Sequence, residues 1–314
     1  MDPIFPMEPA SSESVPESDE WIAQIKWDGV RILTYFDNGA VRLFNRKKRE
    51  RTLHYPEIVN IQGYCSAKSV ILDGEVISLG ENGKPAFNEV MKRDGIRRLD
   101  RINMVRKIVP VTYMVFDVLF LNGEWIHNKP LLDRLNLLSE IIMPNEHIQC
   151  VSSGNDGGSL FRAVKEHGME GIVMKQIDSP YLPGKKKDYW LKIKNYRDII
   201  AVIGGFTLRN NIVNAILLGL YDDSGRLIYV GHTGTGKMTV QDWKDLTEVL
   251  RPSIVSNQPF ANQPERHAQS VFVRPEITVK IKFAEWTDAG YMRQPSIEGF
   301  IEVPPAECML PHYQ

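Results

Sequence analysis

Apolar runs of β character separated by glycine turns limit what this chain can fold into more than any other feature. Ile32-Leu33-Thr34-Tyr35-Phe36 and Ala40-Val41-Arg42-Leu43-Phe44 flank Asp37-Asn38-Gly39, the pattern of a hairpin closed by a short glycine turn. Residues 110–123 read as one long buried strand ending in the turn Asn122-Gly123. Residues 70–77 form a further apolar strand, interrupted by Asp73 and Glu75. A carboxylate buried there is expensive without a partner, so Glu75 reads as a ligand-binding group on a rigid strand, with a bare strand-edge acid as the alternative. Apolar residues three and four apart predict scaffold helices over 131–138 and 160–167. Residues 87–107 also read as helical and are strongly basic, including Arg93, Arg97, Arg101 and Arg106; they form either a solvated face or one that meets a polyanion.

Beyond about residue 201 the chain changes to short strands and glycine turns, such as Ile203-Gly204-Gly205-Phe206 and Asp222-Asp223-Ser224-Gly225. This pattern predicts a small β-barrel. Residues 197–201 read as the hinge, giving domains 1–198 and 199–314 in an α+β chain of 314 residues, long enough for two cores. The formal net charge is −1, so any polyanion site must come from local clusters. Cys65, Cys150 and Cys308 are far apart and form no CxxC, which argues against a disulfide framework or cysteine zinc site and fits a reducing cytosol. No apolar run approaches a membrane span, and the acidic, proline-rich N-terminus lacks a signal-peptide pattern. The expected location is the cytoplasm. No HExxH, GxSxG or His/Cys cluster supports zinc hydrolysis or serine-triad chemistry.

The chemistry concentrates in Gln24-Ile25-Lys26-Trp27-Asp28-Gly29-Val30-Arg31. A lysine titrates near 10.4, so roughly one in a thousand or fewer is neutral near pH 7. A nucleophilic lysine therefore needs a site that favours the free amine. Asp28-Gly29 is a turn signal whose glycine permits close backbone approach, and Arg31 can offer a planar fork to phosphate. A strand, a turn and a strand with solvated Lys and Arg is the plain alternative. Further on, Glu170-Gly171 opens an apolar strand with an acid suited to Mg2+. Lys192 and Lys194 alternate on one strand face, as lysines also do on solvated edge strands.

Lys26-x-Asp28-Gly29-x-Arg31 resembles the first motif of the covalent nucleotidyltransferases. Further family motifs follow in order: Asp73-Gly74-Glu75, Phe116-Asp117, Glu170-Gly171-Ile172 and Lys192-x-Lys194. The chain thus resembles an ATP-dependent DNA ligase, most of all the ligase domain of bacterial end-joining enzymes. The resemblance implies an ATP-grasp-like nucleotidyltransferase (adenylation) domain, antiparallel sheets with flanking helices, followed by an OB-fold barrel. It implies that Lys26 forms a lysyl-AMP and passes AMP to the 5′-phosphate of a nick, which the 3′-hydroxyl then seals. The ATP site would comprise Gln24, Ile25, Arg31, Arg46, Glu75, Phe116 (stacked on the base), Ile172, Lys192 and Lys194. Mg2+ or Mn2+ would lie at Glu75 and Glu170. Arg46, Lys47, Lys48, Lys185, Lys186 and Arg293 would contact DNA. Lys192 and Lys194 would favour the free amine of Lys26 and balance the α-phosphate charge.

The implied partner is nicked duplex DNA, bound by a monomer in a salt-sensitive way, with recruitment by a Ku-like end-binding protein left open. Pro6-Met7 before Trp21 also resembles a family lead-in, so residues 1–20 read either as a mobile tail or as a segment lying along the domain. Two departures stand out. Gln24 occupies a place where related ligases often have Glu, and Ile301-Glu302-Val303-Pro304 replaces the family's Arg-x-Asp-Lys, which orients the pyrophosphate. Gly231-x-x-x-x-Gly236-Lys237 spells most of a phosphate-binding loop, but Met238 lacks the hydroxyl such a loop needs, and a barrel turn is the better reading. An RNA ligase, a guanylyltransferase or a non-catalytic nucleic-acid-binding relative remain alternatives.

Overall fold

The Asp28-Gly29 turn carries the chain from one sheet to another rather than closing a hairpin. The computed structural model describes residues 1–81, 83–287 and 289–311. In it the chain divides into two compact units, Met1–Asn195 and Tyr196–Gln314. In the first unit, β1 (Glu8–Ser11) precedes β2 (Trp21–Ile25), and the turn leads into β3 (Val30–Asp37). A Cβ on Gly29 would lie 2.2 Å from the Val76 carbonyl oxygen, so this crossing requires a glycine.

β3 and β4 (Ala40–Asn45) form the expected hairpin, with Asn38 and Gly39 at positive φ. They belong to a six-stranded sheet with β5 (Val70–Ile77), β6 (Thr112–Leu121), β7 (Glu124–Trp125) and β8 (Ile148–Cys150). The strand order is β4-β3-β5-β6-β7, and β8 runs parallel to β6. The other sheet has the order β1-β10-β9-β2, with β9 (Gly171–Gln176) and β10 (Lys186–Lys194). The segment before β2 is tied to the domain, because β1 pairs parallel with β10 and Met7 is fully buried.

Strand alternation sorts the side chains into layers. Ile32, Leu72, Val115 and Leu138 pack with Ile58 between the six-stranded sheet and the helices α1 (Pro56–Val59) and α4 (Leu131–Ile141). Leu33, Tyr35, Ile71 and Leu119 meet Trp190 between the two sheets. Ala23, Ile172, Met174 and Ile193 pack against Val164 of α5 (Gly157–Glu166), whose N-terminus Asp156 caps by accepting from Ser159 N. Each Leu, Ile, Val or Met among them contributes about 1.5–3 kcal/mol by burial.

The basic stretch 87–107 is two short helices, α2 (Phe87–Asp94) and α3 (Ile102–Ile108). Arg93 is not on a polyanion-facing surface: it is fully buried, paired with Glu57 and donating to the His54 carbonyl.

In the second unit, residues 197–201, read above as a hinge, begin the long strand β11 (Arg197–Arg209); Asn195-Tyr196 links it to β10. β11 pairs with β12 (Ile212–Tyr221), which pairs with β13 (Leu227–Thr233). Helix α6 (Val240–Leu250) was not anticipated. Its sequence signal is Thr239-x-x-Asp242, which forms a capping box. The sheet continues through β14 (Ile254–Val255), β15 (Ser270–Val273) and β16 (Thr278–Phe283); β17 (Glu285–Trp286) and β18 (Met292–Arg293) pair with each other, and β19 (Ser296–Phe300) pairs with β16. The phosphate-loop lookalike bridges to β19, with Ile297 N donating to Thr235 O and Lys237 N donating to Ile297 O. It is a barrel-closing turn, as expected. No helix among the described residues is long and apolar enough to cross a membrane.

Candidate active site

Register across three adjacent strands assembles the site. Ile25 pairs with Ile172, and Gly171 with Lys194, so Lys26 leaves β2 beside the start of β9 and the end of β10. The Lys26 N–H donates to Gly171 O at 2.9 Å. Gly171 has a φ of +150°, and a Cβ there would lie 2.2 Å from Ile193 O, which is why Glu170 is followed by glycine. The Glu170 carboxylate stands between two amines: Lys26 Nζ at 2.6 Å from Oε2, and Lys194 Nζ at 3.2 Å from Oε1. Burial, then Lys194, Lys186 and Lys26, lower the pKa of Lys192.

Two residues along each strand, Gln24, Val173 and Lys192 form a second row on the same face. Gln24 is buried and donates from Nε2 to Ser153 Oγ at 3.0 Å. Ala23 and Gly154 exchange backbone hydrogen bonds, pinning the Ser153 loop to the open edge of β2. Ile25 and Ile172 do not join this face. Both pack in the cluster under α5, because alternation turns every second residue of β2 and β9 away from Lys26.

The facing sheet brings in Arg31 and Glu75, directly paired across β3 and β5. The Arg31 fork, expected to face phosphate, is bidentate on Asp73 at 2.9 and 2.6 Å. Its remaining nitrogen donates to Met7 O at 2.7 Å, and Tyr181 OH donates to Asp73 at 2.7 Å. Asp73 raises the Arg31 pKa despite burial. Glu75 differs: it makes no hydrogen bond or ion pair among the described residues. Burial pushes its carboxyl up to about 8, Lys26 and Arg31 pull it back, and Glu170 and Asp73 push it further. A carboxylate without a partner, close enough to a second carboxylate to feel its charge, fits the one or two protein acids that typically hold Mg2+.

Phe116 occupies a β-bulge. Asp73 pairs with Asp117 and Gly74 with Val115, which leaves Phe116 as the extra residue. Its ring lies edge-on to Trp190, 4.4 Å from Lys175 Nζ and 5.3 Å from the Arg31 guanidinium carbon. Lys175 was not anticipated. It is buried, and its amine has no hydrogen-bond partner among the described residues.

Arg46 lies just past β4, where Asn45 pairs with Ile32, so it leaves the sheet at the end that carries Arg31. Arg46, Lys47, Lys48, Lys185 and Lys186 are exposed. Arg293, in the second unit, is ion-paired with Glu285 on the β17–β18 hairpin.

Comparison with known proteins agrees with this arrangement. Residues 8–194 match the ATP dependent DNA ligase domain, and residues 209–302 the ATP dependent DNA ligase C terminal region. The multifunctional non-homologous end joining DNA repair protein LigD of Mycobacterium tuberculosis is 30% identical over 289 residues, covering 90% of this chain and 36% of that protein. DNA ligase 2 of Methanosarcina mazei is 32% identical over 284 residues, covering 85% and 47%. The chain thus spans about a third to a half of these curated relatives. The solved ligase domain of M. tuberculosis LigD superposes with a TM-score of 0.54 at 28% identity, covering 98% of both chains. With the nucleophile motif, Glu75, Glu170 and the alternating lysines all inside the matched segment, the chain belongs to the ATP-dependent DNA ligase family.

Proposed function

We propose that this chain seals 5′-phosphate/3′-hydroxyl nicks in duplex DNA with ATP. The observation that carries the reading is the Lys26–Glu170–Lys194 cluster at the end of three adjoining strands. In the first step Lys26 Nζ, freed of its proton and of Glu170, attacks the α-phosphorus of ATP. A P–N bond forms, and the bond to pyrophosphate breaks. The 5′-phosphate of the nick then displaces Lys26 from phosphorus, and the 3′-hydroxyl finally displaces AMP. Each step is positioning and charge stabilisation around phosphorus.

Lys192 and Lys194 are assigned to the α-phosphate. Gln24, held by Ser153, is assigned to the base edge, and Phe116 to its face. Arg31 shapes the ribose side of the pocket through its Asp73 pair. Glu75 and Glu170 would hold Mg2+ or Mn2+, which when bound supplies positive charge to the phosphate oxygens. Lys47, Lys48, Lys185 and Lys186, with Arg46 and Arg293, are assigned to DNA phosphates, whose contacts are mostly electrostatic and independent of sequence. The relatives named for end joining support that pathway for this chain; a monomer is assigned to it, with recruitment by a Ku-like end-binding protein left open.

The test is incubation with α-phosphate-labelled ATP or GTP and Mg2+, followed by denaturing electrophoresis, with Lys26→Ala alongside. Label from ATP that is lost as an added nick is sealed, and absent from the variant, is the expected result. Label from GTP would indicate capping chemistry. No label, with pre-adenylated nicks left unsealed, would overturn the reading in favour of a binding protein.

A further inference from the structure

Phe5 is 52% exposed, yet the backbone on both sides of it is pinned. Ile4 N donates to Tyr35 OH at 2.9 Å, and Met7 N donates to Tyr181 OH at 3.0 Å. Phe5 O itself accepts from Gly184 N at 2.8 Å, and Glu8 N donates to Lys185 O at 2.8 Å. The ring is therefore presented by a fixed main chain, not by a loose terminus.

Two basic turns meet at this residue. Lys48 Nζ lies 4.3 Å from the Phe5 ring centroid. Its turn is set by Asn45, whose Oδ1 accepts from Lys47 N and Arg49 N. On the other side Gly184, at a φ of +70°, begins the exposed run Lys185-Lys186-Lys187. Glu8 and Asp188 are the exposed acids next to it in sequence. A half-exposed aromatic ring on a rigid backbone between lysine turns combines an apolar platform with phosphate-binding charge, the pairing that nucleic-acid strands select.

We propose that Phe5 is a DNA contact, its ring packing on a deoxyribose of the strand whose phosphates Lys48 and the 185–187 turn hold. The proposal rests on the ligase reading above for its partner and adds a residue outside the nucleotide pocket. Packing on a sugar is apolar, so it changes affinity without changing the number of counterions released; a lysine on a phosphate changes both.

The experiment titrates the full-length protein against nicked duplex DNA at several salt concentrations, comparing wild type, Phe5→Ala, Phe5→Leu and Lys48→Ala. Phe5→Ala is expected to weaken binding about five- to tenfold at every salt concentration, with an unchanged slope of log affinity against log salt. Phe5→Leu, which keeps apolar bulk and controls for folding, is expected to fall between the two. Lys48→Ala is expected to flatten the slope by about 0.9. The contact is overturned if Phe5→Ala binds like wild type, or if it flattens the slope as Lys48→Ala does, since the ring would then only support the lysine. Absence of nick binding by the wild type would instead overturn the ligase reading itself.

Discussion

Lys175→Met should stabilise the protein, and by an amount that depends on pH. Lys175 is 2% exposed, and its amine touches the rings of Trp190 at 4.0 Å and Phe116 at 4.4 Å. Burial pushes its pKa from 10.5 down to about 7; Asp117 and Asp73 oppose this, while Arg31 and Arg134 add to it. Between those two values the unfolded chain holds a proton that the folded chain has lost, so wild-type stability rises with pH across this window. At pH 7.5 the mismatch costs about 4 kcal/mol, and at pH 9.5 about 1 kcal/mol, at 1.36 kcal/mol per unit. Attraction of the ammonium to the two rings offsets about 0.5–2 kcal/mol when the amine is charged. That is smaller than the titration cost at pH 7.5, where most of the amine is already neutral, and at pH 9.5 no charged amine remains to gain it. Methionine matches the unbranched stem and keeps favourable sulfur–ring contacts. Urea unfolding of both proteins at the two pH values should show a gain of about 3–4 kcal/mol at pH 7.5 that shrinks by roughly 2–3 kcal/mol at pH 9.5. A gain that is the same at both pH values, or a loss at pH 7.5, would refute the reasoning.

Three further outcomes follow from the same geometry. Asp73→Asn removes the charge that pairs with Arg31 and accepts from Tyr181, and should cost about 3–5 kcal/mol in urea unfolding because a buried guanidinium is left unpaired; a loss under 1 kcal/mol would count against the pair as a structural bolt. Glu170→Gln removes the carboxylate shared by Lys26 and Lys194, and single-turnover labelling of Lys26 should fall on the order of a hundredfold or more. Glu75 must be ionised to hold a cation, so with its carboxyl pushed up to about 8 self-adenylation at low Mg2+ should rise between pH 6.5 and 8.5. Added Mg2+ should move the midpoint down, and Glu75→Gln should abolish this limb; a flat wild-type profile over that range would remove Glu75 from the site.

The sequence exposes strands better than partners. Alternation, glycine turns and apolar spacing of three and four are local signals, so the β3–β4 hairpin, α4 and α5 are legible in the sequence. Glu170 adjoins Gly171 in sequence, whereas Lys26 and Lys194 come to that glycine only through strand register. What could not be read is which opposite charge each cation meets. Arg31 and Arg93 look alike in sequence, yet one closes on Asp73, 42 positions away, and the other on Glu57 beneath a helix. Lys175 looks like an ordinary solvated lysine at the end of an apolar run, and only the approach of Phe116 and Trp190 from two other strands buries it. Ile25 and Ile172 show the limit of reading a motif as a block: strand period turns their side chains to the face opposite Lys26, so what they can offer the pocket is main chain.

Lys26 and Arg31, five residues apart, make the same point within one motif. The Gly29 crossing puts them on different sheets, so each takes its carboxylate from its own sheet: Glu170 for the lysine, Asp73 for the arginine. Glu75 is left between them without a partner. A site that neutralised all three acids would have no use for a divalent cation. In the proposed reaction, one carboxylate kept unpaired and partly desolvated beside two cations would give the facing sheets a place for a triphosphate and its metal together.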